Sequence, residues 1–290
     1  MFKLKFILSR ILPKKFLMLL INIWRNSYVV VHNKIYQIKT KKFDHKLFKI
    51  IKYKDLSYYI KLDPANWYVD KHIYAYGIYE KEIYKLMYDN VKKWDVCLDI
   101  WANIWIYTNF LPKLVWESWK VFGFEPIKKI YEQNLESIRK NGYKNTFLYN
   151  YACDFLKQTS TIFVNKENAW ASSIYWDSWD EQTINTIVLD DFLHEDRINF
   201  VKIDTEWYEL SVLKWMKKIL NKYHPKIVME LEPEHHKKQN DWRELLEFIK
   251  DYYNLIYIVE LNKLLNLQKT EDVKFYFNLL SWDGINIFMY

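Results

Sequence analysis

At 290 residues and half apolar, the chain can bury one large core or two modest ones. Its 43 basic and 36 acidic residues give a net charge of +7 with no charge block, and no basic stripe with regularly spaced aromatics appears, so a nucleic-acid partner is not expected. Aromatic residues are abundant (24 Tyr, 17 Phe, 14 Trp), whereas glycine falls to 4. Average usage would give about 20 glycines, and the shortfall nearly equals the number of tryptophans.

The first residues, MFKLKFILSRILPKKFLMLLINIW, mix short apolar runs with Lys and Arg. The longest such run, Phe16 to Ile21, is too short to span a bilayer, and no small-residue cleavage site follows. A basic amphipathic helix is expected, packed on the domain or a partner, or lying on a membrane surface through residues 1–25. Residues 1–75 read as an accessory region of helix and short strands, and 76–290 as the main domain.

From about Ile78 a strand–helix alternation begins. YEKEIYKLMYDNV has helical apolar spacing, and DVCLDI and VFGFEP are short apolar runs suited to strands buried on both faces. IKKIYEQNLESIRK is a helix closed by Asn141-Gly142, and TFLYNYA a third strand. TIFVNKENAWASSIYW and TINTIVL read as β additions. FVKID is a strand, ELSVLKWMKKILNKY one helix, KIVMEL a strand, DWRELLEFIKDYY a helix, and LIYIVEL and INIFMY the last strands. Such alternation predicts an α/β fold, a doubly wound parallel sheet with right-handed crossovers. Ligands then bind beyond the carboxyl ends of the strands, which gathers the loops after Ile100, Phe124, Ala152, Ile203 and Leu231 around one cleft.

Cys97 and Cys153 lie in apolar stretches and read as buried free thiols of a reducing, cytoplasmic compartment, with a disulfide the lesser reading. His235 and His236 are adjacent, which does not suit one ion, and His194 is placed on a short surface helix; no metal site is expected. No Walker loop, G-x-S-x-G or C-x-x-C occurs.

The loop after the first sheet strand, LDIWANIWIYT, carries Trp101 and Trp105 where a tight turn opens into a helix. Glycine belongs there, because it permits positive φ and lets a ligand approach the helix N-terminus without a Cβ in the way. Twenty residues beyond Trp105 stands Glu125 at a strand end, a usual place for an acid that takes ribose hydroxyls.

With tryptophan read as glycine at 101, 105, 207 and 215, the chain resembles the FkbM-type family of S-adenosylmethionine-dependent methyltransferases. The matching segments are LDIWANIWIYT, FEP, NLESIRKNGYKN, IVLDDFL, VKIDTEWYELSVLKWM and PKIVMEL. The resemblance covers about residue 77 to the MEL strand, with a weaker tail to 290. It implies a Rossmann-like class I methyltransferase fold with an antiparallel last strand, S-adenosylmethionine as cofactor and a small-molecule or glycan acceptor methylated on oxygen. It also suggests that UGA codons read as glycine are written here as tryptophan, at 94, 101, 105, 116, 119, 207 and 215 first.

By the same resemblance Asp99 orients the loop and helps hold the amino-acid end of the cofactor, while Trp101, Asn103 and Trp105 supply backbone against it. Glu125 takes the ribose hydroxyls, and Ala152 and Asp154 face the adenine. Asp99 and Asp154 are also suited simply to capping. In VKIDTEWYE, Asp204 and Glu206 are the candidate catalytic bases, with Glu230 and Glu232 as reserves. The alternative is a non-catalytic, Trp/Tyr-rich carbohydrate-binding relative with a blocked cofactor site. A nicotinamide oxidoreductase is disfavoured, since the loop lacks G-x-G-x-x-G spacing.

Overall fold

The computed structural model describes residues 47–63, 69–103, 106–164, 180–205, 208–231, 242–269 and 285–290. The expected N-terminal amphipathic helix, Trp105, Glu206, Trp207, Glu232 and the His235-His236 pair lie outside the described residues.

An antiparallel hairpin, β1 (Leu47–Tyr53) and β2 (Leu56–Leu62), comes first, followed by α1 (Val69–Tyr76) and α2 (Lys81–Asn90). The alternation then runs β3 (Cys97–Ile100), α3 (Ile106–Leu114), β4 (Val121–Phe124), α4 (Lys128–Asn141), β5 (Thr146–Tyr149) and β6 (Ala152–Cys153). After the additions β7 (Thr159–Val164) and β8 (Asp180–Ile187) it resumes with α5 (Leu189–Phe192), β9 (Phe200–Ile203), α6 (Glu209–Trp215), α7 (Lys217–Tyr223) and β10 (Lys226–Leu231). It closes with α8 (Trp242–Tyr252), β11 (Leu255–Ile258), β12 (Lys263–Asn266) and β13 (Ile285–Met289).

The main sheet has the order β12-β11-β13-β10-β9-β3-β4-β5. Strands β5, β4, β3, β9 and β10 pair in parallel, and β13 inserts antiparallel between β10 and β11. This is the expected Rossmann-like sheet, with the antiparallel last strand in place. Order reverses at β3, which has β4 on one side and β9 on the other, so a crevice opens at their carboxyl ends. A small sheet, β6-β8-β7, stands beside it.

The near-continuous apolar runs follow from burial on both faces. Cys97, Val121, Phe200 and Val228 face one core with the hairpin, α2 and α3. Their neighbours Leu98, Phe122, Val201 and Ile227 face the other core with α6, α7 and α8. Residues of the hairpin, among them Ile51, Ile60 and Leu62, share the first core.

Three details depart from the sequence reading. The helix expected over 209–223 breaks at Met216, because the Asp190 carboxylate accepts the N–H groups of Lys218 (2.8 Å) and Ile219 (3.0 Å) and so caps a new helix. The third strand divides at Asn150, whose amide donates to the carbonyls of Glu125 (2.8 Å) and Pro126 (2.9 Å). His194 lies just past α5 and not on it. Both cysteines are buried and free, as expected. Among the described residues no helix is long and apolar enough to cross a membrane, and no group of side chains could hold a metal ion.

Candidate active site

The two-residue repeat of side-chain direction places polar residues on one face, at the carboxyl ends of β3, β9 and β10 and at the adjoining amino end of the antiparallel β13. Asp99 on β3 lies in register with Lys202 on β9. One step further along, Asp204 follows β9, Glu230 stands on β10, and Asn286 on β13 faces Glu230 across the antiparallel pair. The row sits over the switch point, where the two sequence-predicted clusters meet.

Lys202 is fully buried and donates to Asp204 Oδ2 at 2.9 Å and to the Ile203 carbonyl at 3.4 Å. Its ammonium is 5.4 Å from the centre of the Tyr107 ring, and the Tyr107 hydroxyl donates to Glu80 Oε2 at 2.5 Å. Burial works against the charged lysine, but Asp204, Glu80 and Glu230 together hold its pKa above the usual value. Four carboxyl groups, Asp99, Glu80, Asp204 and Glu230, thus share one ammonium. Burial first, then the neighbouring Asp204, pushes the Glu230 pKa well above the ordinary carboxyl value. Burial also raises Glu80, against the pull of Lys202. Asp99 accepts the Thr108 hydroxyl and is pushed by burial up to about 7. The Asp204 side chain keeps 17% exposure, and Glu80 and Glu230 are also partly exposed, whereas Asp99 is buried.

The loop after β3 has the backbone predicted for glycine. Trp101 and Asn103 both hold left-handed φ, at 60° and 52°. Ala102 N–H reaches the Phe124 carbonyl at 2.9 Å, and the Asn134 amide holds the Asn103 carbonyl at 2.7 Å. Glu125 is fully buried, and its two oxygens accept the N–H groups of Asn103 and Ile127, each at 2.8 Å. Burial pushes it up to about 8 despite those donors. Asp154 accepts the N–H of Phe155 at 2.6 Å and lines, with Ala152, Trp101, Thr205 and Tyr208, a cavity of about 220 Å³.

An adenosine-bearing cofactor can be tested against these walls. The left-handed turn and the position at the switch point suit it, while Glu125, buried with both oxygens accepting backbone N–H groups, braces the turn and does not line the cavity. The side chain at 101 does not: the buried indole walls the cavity, whose volume is below the roughly 300–1,000 Å³ of ligand pockets. As written, the residues do not fit the group; glycine at 101 would give the indole's space to the cavity.

Sequence reasoning brought together Asp99, Trp101, Asn103, Glu125, Ala152, Asp154 and Asp204, and the structure places all of them at this end of the sheet. It missed Glu80, Tyr107 and Asn286. The one local signal was a polar residue two places from an apolar one in each strand; Glu80 gave none, since it is a left-handed residue (φ 49°) ahead of α2.

A family model for the methyltransferase FkbM domain matches residues 99–255, more than half of the chain. No curated protein matches. Among solved structures, the methyltransferase FkbM from Methylobacillus flagellatus is 17% identical over 69% of this chain and 44% of its own, with a TM-score of 0.44. This chain therefore spans less than half the length of that protein. A putative rRNA methylase from Clostridium thermocellum is 11% identical, covering 72% of this chain and 93% of its own at a TM-score of 0.46. A SAM-dependent O-methyltransferase from Thermotoga maritima is 12% identical, covering 83% and 76% at 0.41. The chain belongs to the FkbM methyltransferase-domain family, whose methyl donor is S-adenosylmethionine.

Proposed function

We propose that the chain methylates a hydroxyl oxygen of a sugar, glycan or small metabolite, with residues 76–290 as the catalytic domain and 1–75 as an accessory region. The observation that carries this reading is Asp204, a partly open carboxylate anchored by a buried ammonium at the switch point. S-adenosylmethionine supplies a methyl group activated by its sulfonium, and transfer requires alignment more than covalent help. Asp204 takes the proton of the acceptor hydroxyl. Lys202 and the neighbouring carboxyl of Glu230 orient it, and Glu80 with Tyr107 fixes Lys202 from the other side. Asp99, Asn103 and the turn at 101–105 are the residues to hold the donor's amino-acid end and ribose, Glu125 anchors that turn, and Ala152 and Asp154 face its base. Glu206 is a second candidate base in the loop after β9.

This reading carries a condition: positions 101, 105 and 207 are glycine in the native protein, through UGA codons. The left-handed φ and cavity-filling side chain at 101 support the condition. Peptide masses of the protein isolated from its source test it, since glycine and tryptophan differ grossly in mass. UGG codons at 101, 105 and 207 would instead favour the second reading, a carbohydrate-binding relative whose donor cavity is closed by Trp101. With glycine in place, labelled S-adenosylmethionine and a panel of hydroxylated acceptors should give an O-methylated product. Asp204→Asn should lose about 10²–10⁴-fold in rate with donor affinity kept; an unchanged rate would remove Asp204 as the base.

A further inference from the structure

The polar row continues beyond the cluster that serves Asp204. The Asn286 amide donates to Glu80 Oε1 at 3.3 Å and to Glu260 Oε1 at 3.2 Å. Asn286 is only 5% exposed, yet its Oδ1 has no hydrogen-bond partner among the described residues, and neither has the buried Glu260 Oε2. A buried polar group left unpaired costs about 1–3 kcal/mol, so two such acceptors side by side ask for donors from elsewhere. Both residues line a cleft of about 970 Å³ between α2 and the strands β11 and β13.

Its walls are chemically distinct. Glu80, Glu82, Asp89 and Glu260 contribute carboxyl groups, while Lys85, the one lysine among the described lining residues, pairs with Asp89. Opposite stand Tyr257, Phe288 and Tyr290, with the last two rings stacked at 5.2 Å. Tyr257 and Phe288 are cross-strand partners on the face that carries Asn286, so this wall is continuous with the row leading to Asp204.

We propose that this cleft is the acceptor site, and that it selects a saccharide carrying a protonated amine, an amino sugar unit. The inference rests on the methyl-transfer reading above. A sugar ring offers an apolar face to the aromatic wall and hydroxyl donors to Asn286 Oδ1 and Glu260 Oε2. An ammonium balances the carboxyl wall, whereas a phosphate or a uronic acid meets like charge there. The global field runs the other way, since a chain of net charge +7 attracts anions. Preference for a cation therefore has to arise locally. Glu80 joins the two sites, accepting Tyr107 on the catalytic side and lining the cleft on the other.

Titration calorimetry with fully deacetylated chitosan trimer and with its N-acetylated counterpart tests this, because the two share a backbone and differ in charge. The full chain with glycine at 101, 105 and 207 should bind the cationic trimer about tenfold or more tightly than the neutral one. Glu260→Gln should cut that preference roughly fivefold and Glu82→Gln, an exposed rim position indifferent to folding, roughly threefold. S-adenosylhomocysteine affinity should stay unchanged in both variants. Equal binding of the two trimers, or a preference that survives both substitutions, would overturn the inference. Methyl transfer to a neutral glycan without preference for an amine overturns the cleft and leaves the methyl-transfer reading standing. Cation-selective binding by a chain that binds no S-adenosylhomocysteine overturns that reading and the acceptor role with it.

Discussion

Replacing Trp101 with glycine separates the backbone of the donor loop from the side chain it carries. At φ 60° a residue with a Cβ is strained by about 1–2 kcal/mol, which glycine removes. Loss of a buried Trp side chain costs about 3–5 kcal/mol, so the ligand-free variant should be less stable by roughly 1–4 kcal/mol. The indole belongs to the buried cluster with Ile127, Ile130 and Ile184 while also bordering the cavity. The gain appears with ligand: S-adenosylhomocysteine at 100 times its Kd adds about 2.7 kcal/mol, a rise in Tm of roughly 4–5 °C for a chain of this size. The assay is thermal unfolding with and without S-adenosylhomocysteine, on the written chain, Trp101→Gly and Trp101→Ala. Alanine opens similar space but keeps a Cβ at positive φ, so it should be the less stable of the two variants, reversing the usual order of Gly and Ala. A written chain that responds to S-adenosylhomocysteine as strongly as the glycine variant would refute the reasoning.

The remaining expectations concern the buried charges and the N-terminus. Glu230→Gln keeps a donor for Asp204 and should retain most methyl transfer, whereas Glu230→Ala should lose about tenfold or more; equal losses would show that a neutral donor is not what Glu230 supplies. Lys202→Met leaves the carboxyl cluster without its ammonium and should cost about 3–5 kcal/mol in urea unfolding; a neutral outcome would mean the cluster holds its own protons without help. Glu125 titrates near 8 when folded and near about 4.3 when unfolded. The native state therefore keeps a proton that the unfolded chain has released, and the associated stability is complete below about pH 4 and lost as pH rises through 8. Glu125→Gln should flatten that decline, which is on the order of a few kcal/mol; identical slopes for the two chains would contradict it. Deleting residues 1–25 should abolish co-sedimentation with anionic vesicles if the basic stretch lies on membranes, and unchanged sedimentation would rule out that contact.

Much of this architecture was legible in the pattern of apolar runs. Strands such as CLDI, VFGF and FVKI carry no alternation because they are covered on both faces, and that feature marks a parallel sheet. The Gly142 cap was also readable, whereas the antiparallel direction of β13 came only from the family resemblance. Register was not: nothing local says that Asp99 lies beside Lys202, or that Asn286 faces Glu230. The cluster around Lys202 is a product of strand pairing, so its members look like isolated polar residues until the sheet is assembled. The break at Met216 was hidden for a similar reason, since its cause is Asp190, far away in sequence.

The tryptophans themselves argue for the glycine reading. Trp is a large apolar anchor, and in an aromatic-rich protein it should fill cores. Here the largest fully buried aromatic side chains are Tyr58, Tyr84, Phe110, Phe124 and Phe200. Trp94 and Trp116 are 50% and 53% exposed, in turns bracketing β3 and α3, and Trp101 adopts a left-handed turn conformation. Trp119 ends the turn ahead of β4, its N–H bonded to the Trp116 carbonyl. Turns and helix–strand junctions are where glycine belongs by conformation, and at 94 and 116 the indoles contribute little burial. Glycine at 94 and 116 would leave the core as it is, whereas at 101 it would remove the indole packed with Ile127, Ile130 and Ile184. Under the proposed glycine reading, one change of coding would account for the glycine deficit, the exposed indoles and the filled donor cavity together, while a genuinely Trp-rich chain needs a separate reason for each.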